Sequence, residues 1–537
     1  MQVLIDQRYG WRHSLTEKLE YWYAGAAGPV KEFISFCEPE PEVSAEVLGA
    51  KVRSLVGHFA VVIRKRGTII AAVDKVRSCP LFYVQKDGRF GISNSAAILK
   101  QAFGLTEIDE DSLLEFRMAA FVTGRHTLFK TLYQLQAGEM LVWSEPKGGC
   151  NRSRYYRFYS ERVRREKASD LVDELDEITN TIFRRVIEGA NGAPIWVPLS
   201  GGLDSRLVLC KLRQLGCERL NSFSYGPVNN YDAKWAKYVA EKISVPWLFV
   251  PFRTKAIKAF FSSQIRRDYW VFAGNYSSMP FMVDEYAIYC LNKANLVDER
   301  TIFINGQSGD FISGGHIYGK HLGKLENGGV GYEGQVVINA ILKKHLSMRD
   351  DLLTESNITR LAGRITALLG IEKSQNLDRT RAFKLYEWWE WQERQAKYVI
   401  NGQRSYDYFG HQWFLPLWAD EYLSFWEKIG YDQKFGQKLY KTYLNKFNPF
   451  GAFRDVTTNV WNWQGLGMMV LPIGGALRIF CGDRIAKKFY HYASYLGKYH
   501  NHYAPFGLRN WLQHAKRITS PIAFYVDTYL KEERITI

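Results

Sequence analysis

The sequence has few cysteines and no cysteine pair. Seven cysteines are scattered over 537 residues, and none forms a C-x-x-C motif. They are Cys37, Cys79, Cys150, Cys210, Cys217, Cys290 and Cys481. Disulfide frameworks and structural zinc sites both depend on grouped cysteines. The sequence therefore argues against both, and it predicts a protein of a reducing compartment.

Long apolar runs are also lacking. The longest candidate, Leu466 to Cys481, is interrupted by glycines, Pro472 and Arg478, whereas a helix that crosses a bilayer needs about 20 apolar residues in succession. The first eight residues lack the layout of a signal peptide. These absences predict a soluble, cytoplasmic protein.

Acidic residues are scarce relative to basic ones: 55 Asp and Glu stand against 71 Lys and Arg, which gives a net charge of +16. Much of the excess lies in residues 478–517, where basic and aromatic residues alternate. The simplest interpretation is a solvated helical face, and the alternative is a docking surface for a membrane or an acidic partner. Zinc-finger spacing and aromatic RNA-binding motifs are absent, so nucleic acid is a minor option.

A chain of this length needs two or more domains, and its pattern changes near residue 150. Before that point, short apolar runs alternate with turn signals. Phe59–Ile63 and Thr68–Val73 flank a basic turn, and Lys86-Asp87-Gly88 suits a tight hairpin. The pattern before residue 150 predicts a β-rich α+β sandwich rather than a parallel sheet.

From Pro194 onward, strand patterns alternate with helix patterns. The predicted strands are Ile195–Leu199, Asn221–Tyr225, Trp247–Val250 and Thr301–Ile304. Such alternation predicts a parallel α/β sheet that binds ligands at the carboxyl ends of its strands. Beyond residue 330 the sequence predicts mostly helix. We place the domains at residues 1–155, 165–450 and 451–537, the last being a basic, aromatic extension.

The most informative motif is Ser200-Gly201-Gly202-Leu203-Asp204-Ser205, between the first of these strands and a helix. A glycine-rich turn at a helix N-terminus binds phosphate through backbone N–H groups and the helix dipole. A Walker-type G-x-x-x-x-G-K-[ST] pattern is absent. The turn therefore suits pyrophosphate recognition, and Asp204 adds a carboxylate for Mg²⁺.

A second loop, Asn305-Gly306-Gln307-Ser308-Gly309-Asp310, follows the fourth predicted strand. Because loops after parallel strands gather at one edge of the sheet, we expect Asp310 to lie near Asp204. Mg²⁺ binds through one or two carboxylates together with phosphate oxygens. The pair of loops therefore predicts a site for Mg²⁺ and ATP.

These two loops resemble those of asparagine synthetase and its relatives, which are ATP pyrophosphatases with a PP-loop. The first domain is similar to the family's glutaminase half, an Ntn-hydrolase-like sandwich. The resemblance rests there on Gly57-His-Phe-Ala60, Asp74, Pro80-Leu-Phe-Tyr83, Ser93-Asn-Ser95, Thr127-Leu-Phe-Lys130 and Leu135-Gln-Ala-Gly138. A weaker similarity occurs at Leu415–Asp420. The resemblance spans roughly residues 50–320.

The resemblance implies an ATP-dependent, amide-forming ligase with Mg²⁺ as cofactor. It assigns catalysis and metal binding to Asp204 and Asp310. The implied nucleotide-binding residues are Leu199, Ser200, Gly201, Gly202, Asp204, Ser205, Ser224, Tyr225, Asn305 and Gly306. In this scheme a substrate carboxylate is adenylated with release of pyrophosphate, and ammonia or an amine then displaces AMP.

Three positions depart from the family pattern. The family's glutaminase uses a cysteine at position 2, whereas this sequence has Gln2 and no cysteine before Cys37. We therefore predict a degenerate glutaminase-like domain, because the thiolate nucleophile is missing. Gln307 stands where the family carries a glutamate, and an amide cannot act as a general base. Phe311 stands where relatives often carry another acid.

Several interpretations stay open at this point. One is a ligase that uses ammonia or a substrate amine, and another is an intramolecular cyclase of the β-lactam-synthetase or lasso-peptide type. A third is an inactive nucleotide-binding scaffold, which Gln307 and Phe311 favour. Tyr225 and Lys438 lie in plausible regions for a base, although packing or surface roles explain them better. The expected partners are a small carboxylic acid and ammonia or an amine, with a homodimer as a further candidate.

Overall fold

The structure is a computed structural model. It describes residues 1–39, 44–145, 149–228, 230–280, 284–317, 332–453, 467–482, 485–486, 489–490, 492–493, 509, 520 and 522–536. Within these ranges, no helix combines the length and the apolar character that crossing a membrane requires.

The N-terminal half contains two sheets, which confirms the predicted β-rich α+β fold. One sheet has the strand order β1 (Gln2–Val3), β7 (Arg89–Ser93), β6 (Phe82–Lys86) and β8 (Leu132–Gln134). The other has the order β10 (Gly149–Arg154), β9 (Glu139–Ser144), β5 (Thr68–Val73), β4 (Phe59–Lys65), β3 (Glu20–Gly25) and β2 (Arg12–Leu15). All neighbours pair antiparallel except β1 and β7, which run parallel.

Short helices accompany these sheets, and a long helix then leads into the second half. They are α1 (Ala27–Cys37), α2 (Ala45–Arg53), α3 (Ala96–Ala102), α4 (Glu110–Ala119) and the long α5 (Ala168–Ala190). Along α5, Leu171, Leu175 and Ile182 are buried. This one-sided burial follows the helical spacing of the apolar residues.

The second half is built on a five-stranded parallel sheet. Its order is β13 (Trp247–Pro251), β12 (Leu220–Gly226), β11 (Ile195–Pro198), β14 (Ile302–Ile304) and β17 (Gln412–Phe414). The four predicted strands are confirmed, with ends that differ by at most one residue. The sequence analysis missed the edge strand β17, which is only three residues long. A small antiparallel pair, β15 (Tyr332–Glu333) and β16 (Asn376–Leu377), lies outside this sheet.

Helices surround the parallel sheet. They are α6 (Leu203–Gln214), α7 (Tyr231–Lys242), α8 (Thr254–Phe261), α9 (Gln264–Gly274), α10 (Glu285–Lys293), α11 (Gly309–Ile312), α12 (Gly334–His345), α13 (Glu355–Leu369), α14 (Arg379–Trp389), α15 (Arg404–Tyr408), α16 (Asp420–Trp426), α17 (Tyr431–Lys434), α18 (Lys438–Phe447), α19 (Gly467–Cys481) and α20 (Ile522–Glu532). A π-helical segment, Glu390–Val399, continues α14. Short 3₁₀ turns occur at Asp350–Leu352, Ile400–Gln403, Pro416–Trp418, Phe435–Gln437 and Pro449–Gly451.

The two halves share one hydrophobic core. A single cluster of buried side chains includes Phe59 and Val61 of β4 together with Ile195 and Val197 of β11. The domain limits 1–155, 165–450 and 451–537 stay a prediction. The last helix of the predicted extension, α20, is itself part of the body, because its Tyr529 is buried and its Glu532 binds Arg266.

Candidate functional site

The turn Ser200–Ser205 joins the carboxyl end of β11 to α6. The helix begins after Gly202, which has no side chain to cap the N-terminal N–H groups. Within the turn, the Ser205 hydroxyl accepts from the Ser200 amide at 3.0 Å, and the Ser200 hydroxyl accepts from the Gly202 amide at 3.1 Å. The result is a compact loop with two hydroxyls beside an uncapped helix N-terminus, which is an arrangement that attracts anions.

The second loop lies against the first, because β11 and β14 are neighbours in the parallel sheet. The Asp310 amide donates to Asp204 Oδ2 at 2.7 Å, and the Tyr440 hydroxyl donates to Asp204 Oδ1 at 3.0 Å. The structure thus brings together the two carboxyl residues that the sequence places 106 positions apart. Tyr440, on α18, is a partner that sequence reasoning missed.

Two glycines permit this close approach. A Cβ atom at Gly306 would lie 2.6 Å from the Ser205 nitrogen, and one at Gly309 would lie 2.5 Å from Asp204 Cγ. Real Cβ atoms do not come this close to other heavy atoms. Any side chain at either position would therefore push the two loops apart.

The two carboxyl groups have opposite pKa shifts. Burial raises the pKa of Asp204 to about 7, and the charge of Asp310 adds to the rise. Burial also acts to raise the pKa of Asp310, but the hydrogen bond and the charge of His316 outweigh it and hold that pKa below its ordinary value. A cation beside the pair would favour the ionised form of both groups. Two carboxylates are also the donor set that Mg²⁺ uses together with phosphate oxygens, so these residues fit such an ion.

Behind Asp310 lies a charged cluster centred on Glu390, at the start of the π-helical segment. His316 bridges the two carboxylates: its Nε2 lies 2.9 Å from Asp310 Oδ2, and its Nδ1 is hydrogen-bonded to Glu390. Lys344 donates to Glu390 at 3.1 Å, and the Glu390 side chain is fully buried. Burial acts to lower the pKa of His316, but the charges of Glu390 and Asp310 raise it to about 9. His316 is therefore an imidazolium that orients Asp310.

Gln307 belongs to a hydrogen-bonded chain that runs along the ends of the strands. Tyr406 donates to the buried Asp284 carboxyl at 2.7 Å and is also hydrogen-bonded to the Asn305 side chain. Asn305 Nδ2 donates to Gln403 Oε1 at 3.2 Å, and Gln403 Nε2 donates to Gln307 Oε1 at 2.7 Å.

A carboxylate only accepts hydrogen bonds, so Asp284 fixes the direction of the whole chain. The carbonyl oxygen of Gln307 consequently faces Gln403, and its NH₂ group is left to face the other way. Gln307 is thus held as a hydrogen-bond donor.

The residues assigned to adenosine by resemblance are close to the turn, but their polar side-chain atoms already have partners. The Ser224 hydroxyl donates to the Leu199 carbonyl at 2.6 Å and accepts from Trp247 Nε1 at 2.9 Å. The Tyr225 hydroxyl donates to Asp284. Their adenosine-binding role stays a prediction. Because these polar side-chain atoms already have partners, contacts with adenosine would come from backbone groups and from the faces of the aromatic rings.

Phe311, which stands where relatives often carry an acid, has a structural role in this chain. The side chain is 1% exposed and stacks on Trp418, with ring centroids 5.8 Å apart. It also lies near the ring of Phe158, at 6.0 Å. The residue after Asp310 therefore points into the core that joins the two halves, whereas Asp310 points outward.

The N-terminal half has no activated thiol among its described cysteines. Burial raises the pKa of Cys37 to about 12, and it raises the pKa values of Cys79 and Cys150 to about 11. Gln2 lies in β1, where it pairs with Gly91 of β7. These thiols are protonated at neutral pH, which is the unreactive form.

Sequence patterns located the two loops, but not the side chains that support them. Three of these residues lie far along the chain from the loops, and no local motif marks them: Glu390, Gln403 and Tyr440. The fourth, His316, follows Asp310 by six residues but lies outside the glycine-rich motif. The one available signal is the run of buried polar residues in the π-helical segment, a type of helix that is frequent at functional sites.

Comparisons with known proteins identify both halves. A family model described as glutamine amidotransferase domain matches residues 43–156, and one described as asparagine synthase matches residues 190–444. No curated protein matches the sequence significantly.

Similar solved structures show only remote likeness. One is the allosteric regulatory enzyme of purine biosynthesis, at 11% identity and a TM-score of 0.19. The match covers 56% of this chain, and the chain spans 56% of the length of that structure. Another is the glutamine phosphoribosylpyrophosphate amidotransferase from B. subtilis in complex with ADP and GMP, at 10% identity and a TM-score of 0.17, covering 48% of this chain and 76% of that one.

Proposed function

With a glutamine amidotransferase domain followed by an asparagine synthase domain, this chain is a member of the asparagine synthetase family, and we propose that it is a ligase that forms an amide at the expense of ATP. In the first step, an oxygen of a substrate carboxylate attacks the α-phosphorus of ATP. The bond between the α-phosphorus and the bridging oxygen breaks, which yields an acyl-adenylate and pyrophosphate. In the second step, ammonia or an amine attacks the acyl carbon, loses a proton and displaces AMP.

The observation that carries this proposal is the contact between Asp204 and Asp310 beside an uncapped helix N-terminus. In the proposal, Ser200, Gly201, Gly202 and Ser205 bind the phosphates. The adenosine lies along Leu199, Ser224, Tyr225, Asn305 and Gly306. The helix dipole and the loop amides stabilise the negative charge that develops on the phosphorus oxygens.

Mg²⁺ is the proposed cofactor, and Asp204 and Asp310 would hold it. When bound, the ion would neutralise phosphate charge during adenylation. His316 and Glu390 keep the Asp310 carboxylate ionised and oriented, and Tyr440 orients one oxygen of Asp204. These contacts support a rigid, pre-formed pair of ligands.

Nitrogen does not come from glutamine in this proposal. Of the described cysteines of the N-terminal half, Cys37 and Cys79 are buried and Cys150 is half-buried. The pKa of each thiol is raised to about 11 or 12, so all three are protonated at neutral pH, and the domain would lack the nucleophile for amide hydrolysis. Gln307, held by Gln403, cannot take a proton from the amine. An amine that is already neutral, or ammonia itself, would attack the adenylate without help from this residue.

The test is pyrophosphate release from ATP and Mg²⁺ across a panel of carboxylic acids, with ammonia, glutamine or no added nitrogen source. We expect one class of acid to stimulate release, and Asp204→Asn to reduce that release by at least about a thousandfold. Asp87→Asn, the same change on an exposed hairpin turn, serves as the control and should retain full activity.

Two results would contradict the proposal. Glutamate formation from glutamine would show that the amidotransferase-like domain is active. A cellular function that survives Asp204→Asn, with no acid-dependent release from the wild type, would instead favour the nucleotide-binding scaffold.

A further inference from the structure

The helix α19, Gly467–Cys481, presents large apolar side chains to solvent. Phe480 is 83% exposed and Ile479 is 81% exposed, which are the highest values for large apolar residues in the described part of the chain. Ile473 and the nearby Ile485 are each 48% exposed. Scattered exposed apolar residues are normal, but a cluster of this kind marks an interaction surface.

The exposed residues share one face of α19. Successive residues of an α-helix are rotated by about 100°, which places Ile473, Ile479 and Phe480 within an arc of about 120° that does not include Gly474. Gly474 is buried against Tyr490, because a Cβ atom there would lie 2.2 Å from the Tyr490 ring. Val470, on the same side as Gly474, is also buried. The helix is thus seated on the protein by one face and offers the apolar face outward.

The sequence around this face is strongly basic. Residues 478–517 contain eight Lys or Arg and a single acidic residue, Asp483. Nearly half of the chain's net charge of +16 therefore lies within 40 residues. Arg478 belongs to α19 itself and is exposed.

We propose that α19 docks the protein on an anionic lipid surface, with its apolar face in the headgroup region, and that the basic sequence of residues 478–517 adds attraction to lipid phosphates. Apolar side chains together with adjacent basic residues are the combination that binds anionic bilayers. A nucleic acid would match the charge but would leave Ile479 and Phe480 in water, and the acidic residues of a protein partner would not by themselves cover these side chains. At 15 residues with an internal Pro472, α19 is too short to cross a bilayer and suits a position along its surface.

The test is flotation of the full-length protein with vesicles of two compositions, phosphatidylcholine alone and an equimolar mixture with phosphatidylglycerol. We expect binding to the mixed vesicles that exceeds binding to the neutral ones by at least about tenfold and weakens at high salt. The double variant Ile479→Asp with Phe480→Asp should lose at least about tenfold of this binding.

Leu15→Asp is the matched control, because Leu15 is 73% exposed on β2 and lies in a different part of the chain. It should bind like the wild type. Absence of wild-type binding to either vesicle would overturn the proposal. Unchanged binding of the double variant would also overturn it, since charge alone would then account for the attraction, as for an acidic macromolecule. Circular dichroism of each variant verifies that the fold is intact.

Discussion

Asp204 combines a favourable set of hydrogen bonds with an unfavourable electrostatic position. It accepts from the Asp310 amide and from Tyr440, yet burial and the charge of Asp310 raise its pKa to about 7. In the unfolded chain the same carboxyl titrates near 3.8. Between these values the native state binds a proton that the unfolded state does not, so this group destabilises the fold as pH rises from about 4 to 7.

Asp204→Asn should therefore stabilise the protein at pH 8 while it abolishes catalysis. Without Mg²⁺, we expect the free energy of unfolding at pH 8 to increase by about 1–3 kcal/mol. The gain should shrink as pH falls from 7 to 4 and vanish near pH 3, where the wild-type carboxyl is protonated in both states. Urea unfolding across this range measures the difference. An equal effect of the variant at both ends would contradict the assigned pKa.

At the scale of secondary structure elements, the loops of the site were predictable and their supports were not. Gly201 and Gly202 follow an apolar run and precede a helical pattern, so local spacing located the turn. Asp310 could be placed near Asp204 because the ends of parallel strands meet at one edge. The edge strand β17 has three residues and no periodicity to detect, and the π-helical segment contributes its contacts only through tertiary packing.

Glu390, at the start of the π-helical segment, gives the stability of the fold a second dependence on pH. His316 has a pKa of about 9, raised above its ordinary 6.5 because the charges of Glu390 and Asp310 outweigh burial. A raised histidine pKa stabilises the fold fully below about pH 6.5, and this stabilisation is lost as pH rises through 9. Glu390→Gln should remove most of it, since a neutral amide leaves His316 and Lys344 without their buried counter-charge.

We expect Glu390→Gln to lower the free energy of unfolding by about 2–4 kcal/mol at pH 6.5. The deficit should shrink above pH 9, where the wild-type His316 is also neutral. Glu299→Gln, the same change at an exposed position, should have an effect within about 0.5 kcal/mol. A deficit that does not depend on pH would show that Glu390 acts through packing rather than through His316.

At the scale of the whole molecule, the two halves are joined by polar contacts as well as by the shared core. Asp420 accepts from the Gly57 amide at 2.8 Å, and the Arg404 guanidinium donates to the Ser78 carbonyl at 2.6 Å. Glu393, in the π-helical segment, accepts from the Gly124 amide at 2.8 Å. The N-terminal half is thus anchored to the segment that also supports the candidate site, and we expect the two halves to unfold together.

The buried pair of Glu393 and Lys397 provides the sharpest test of this coupling. Both side chains are fully buried, whereas the pair of Lys237 and Glu241 has the same spacing of four residues and is more than half exposed. Glu393→Gln leaves the Lys397 charge without its partner and should cost about 3–5 kcal/mol. Glu241→Gln should cost less than about 0.5 kcal/mol.

Hydrogen exchange of peptides from β4 and β5, and from β11 and α6, would report on the two halves separately. Glu393 contacts Gly124 of the N-terminal half and belongs to the π-helical segment of the second half. We therefore expect Glu393→Gln to lower the protection from hydrogen exchange in both sets of peptides alike. A loss of protection confined to one set would show that the halves unfold independently.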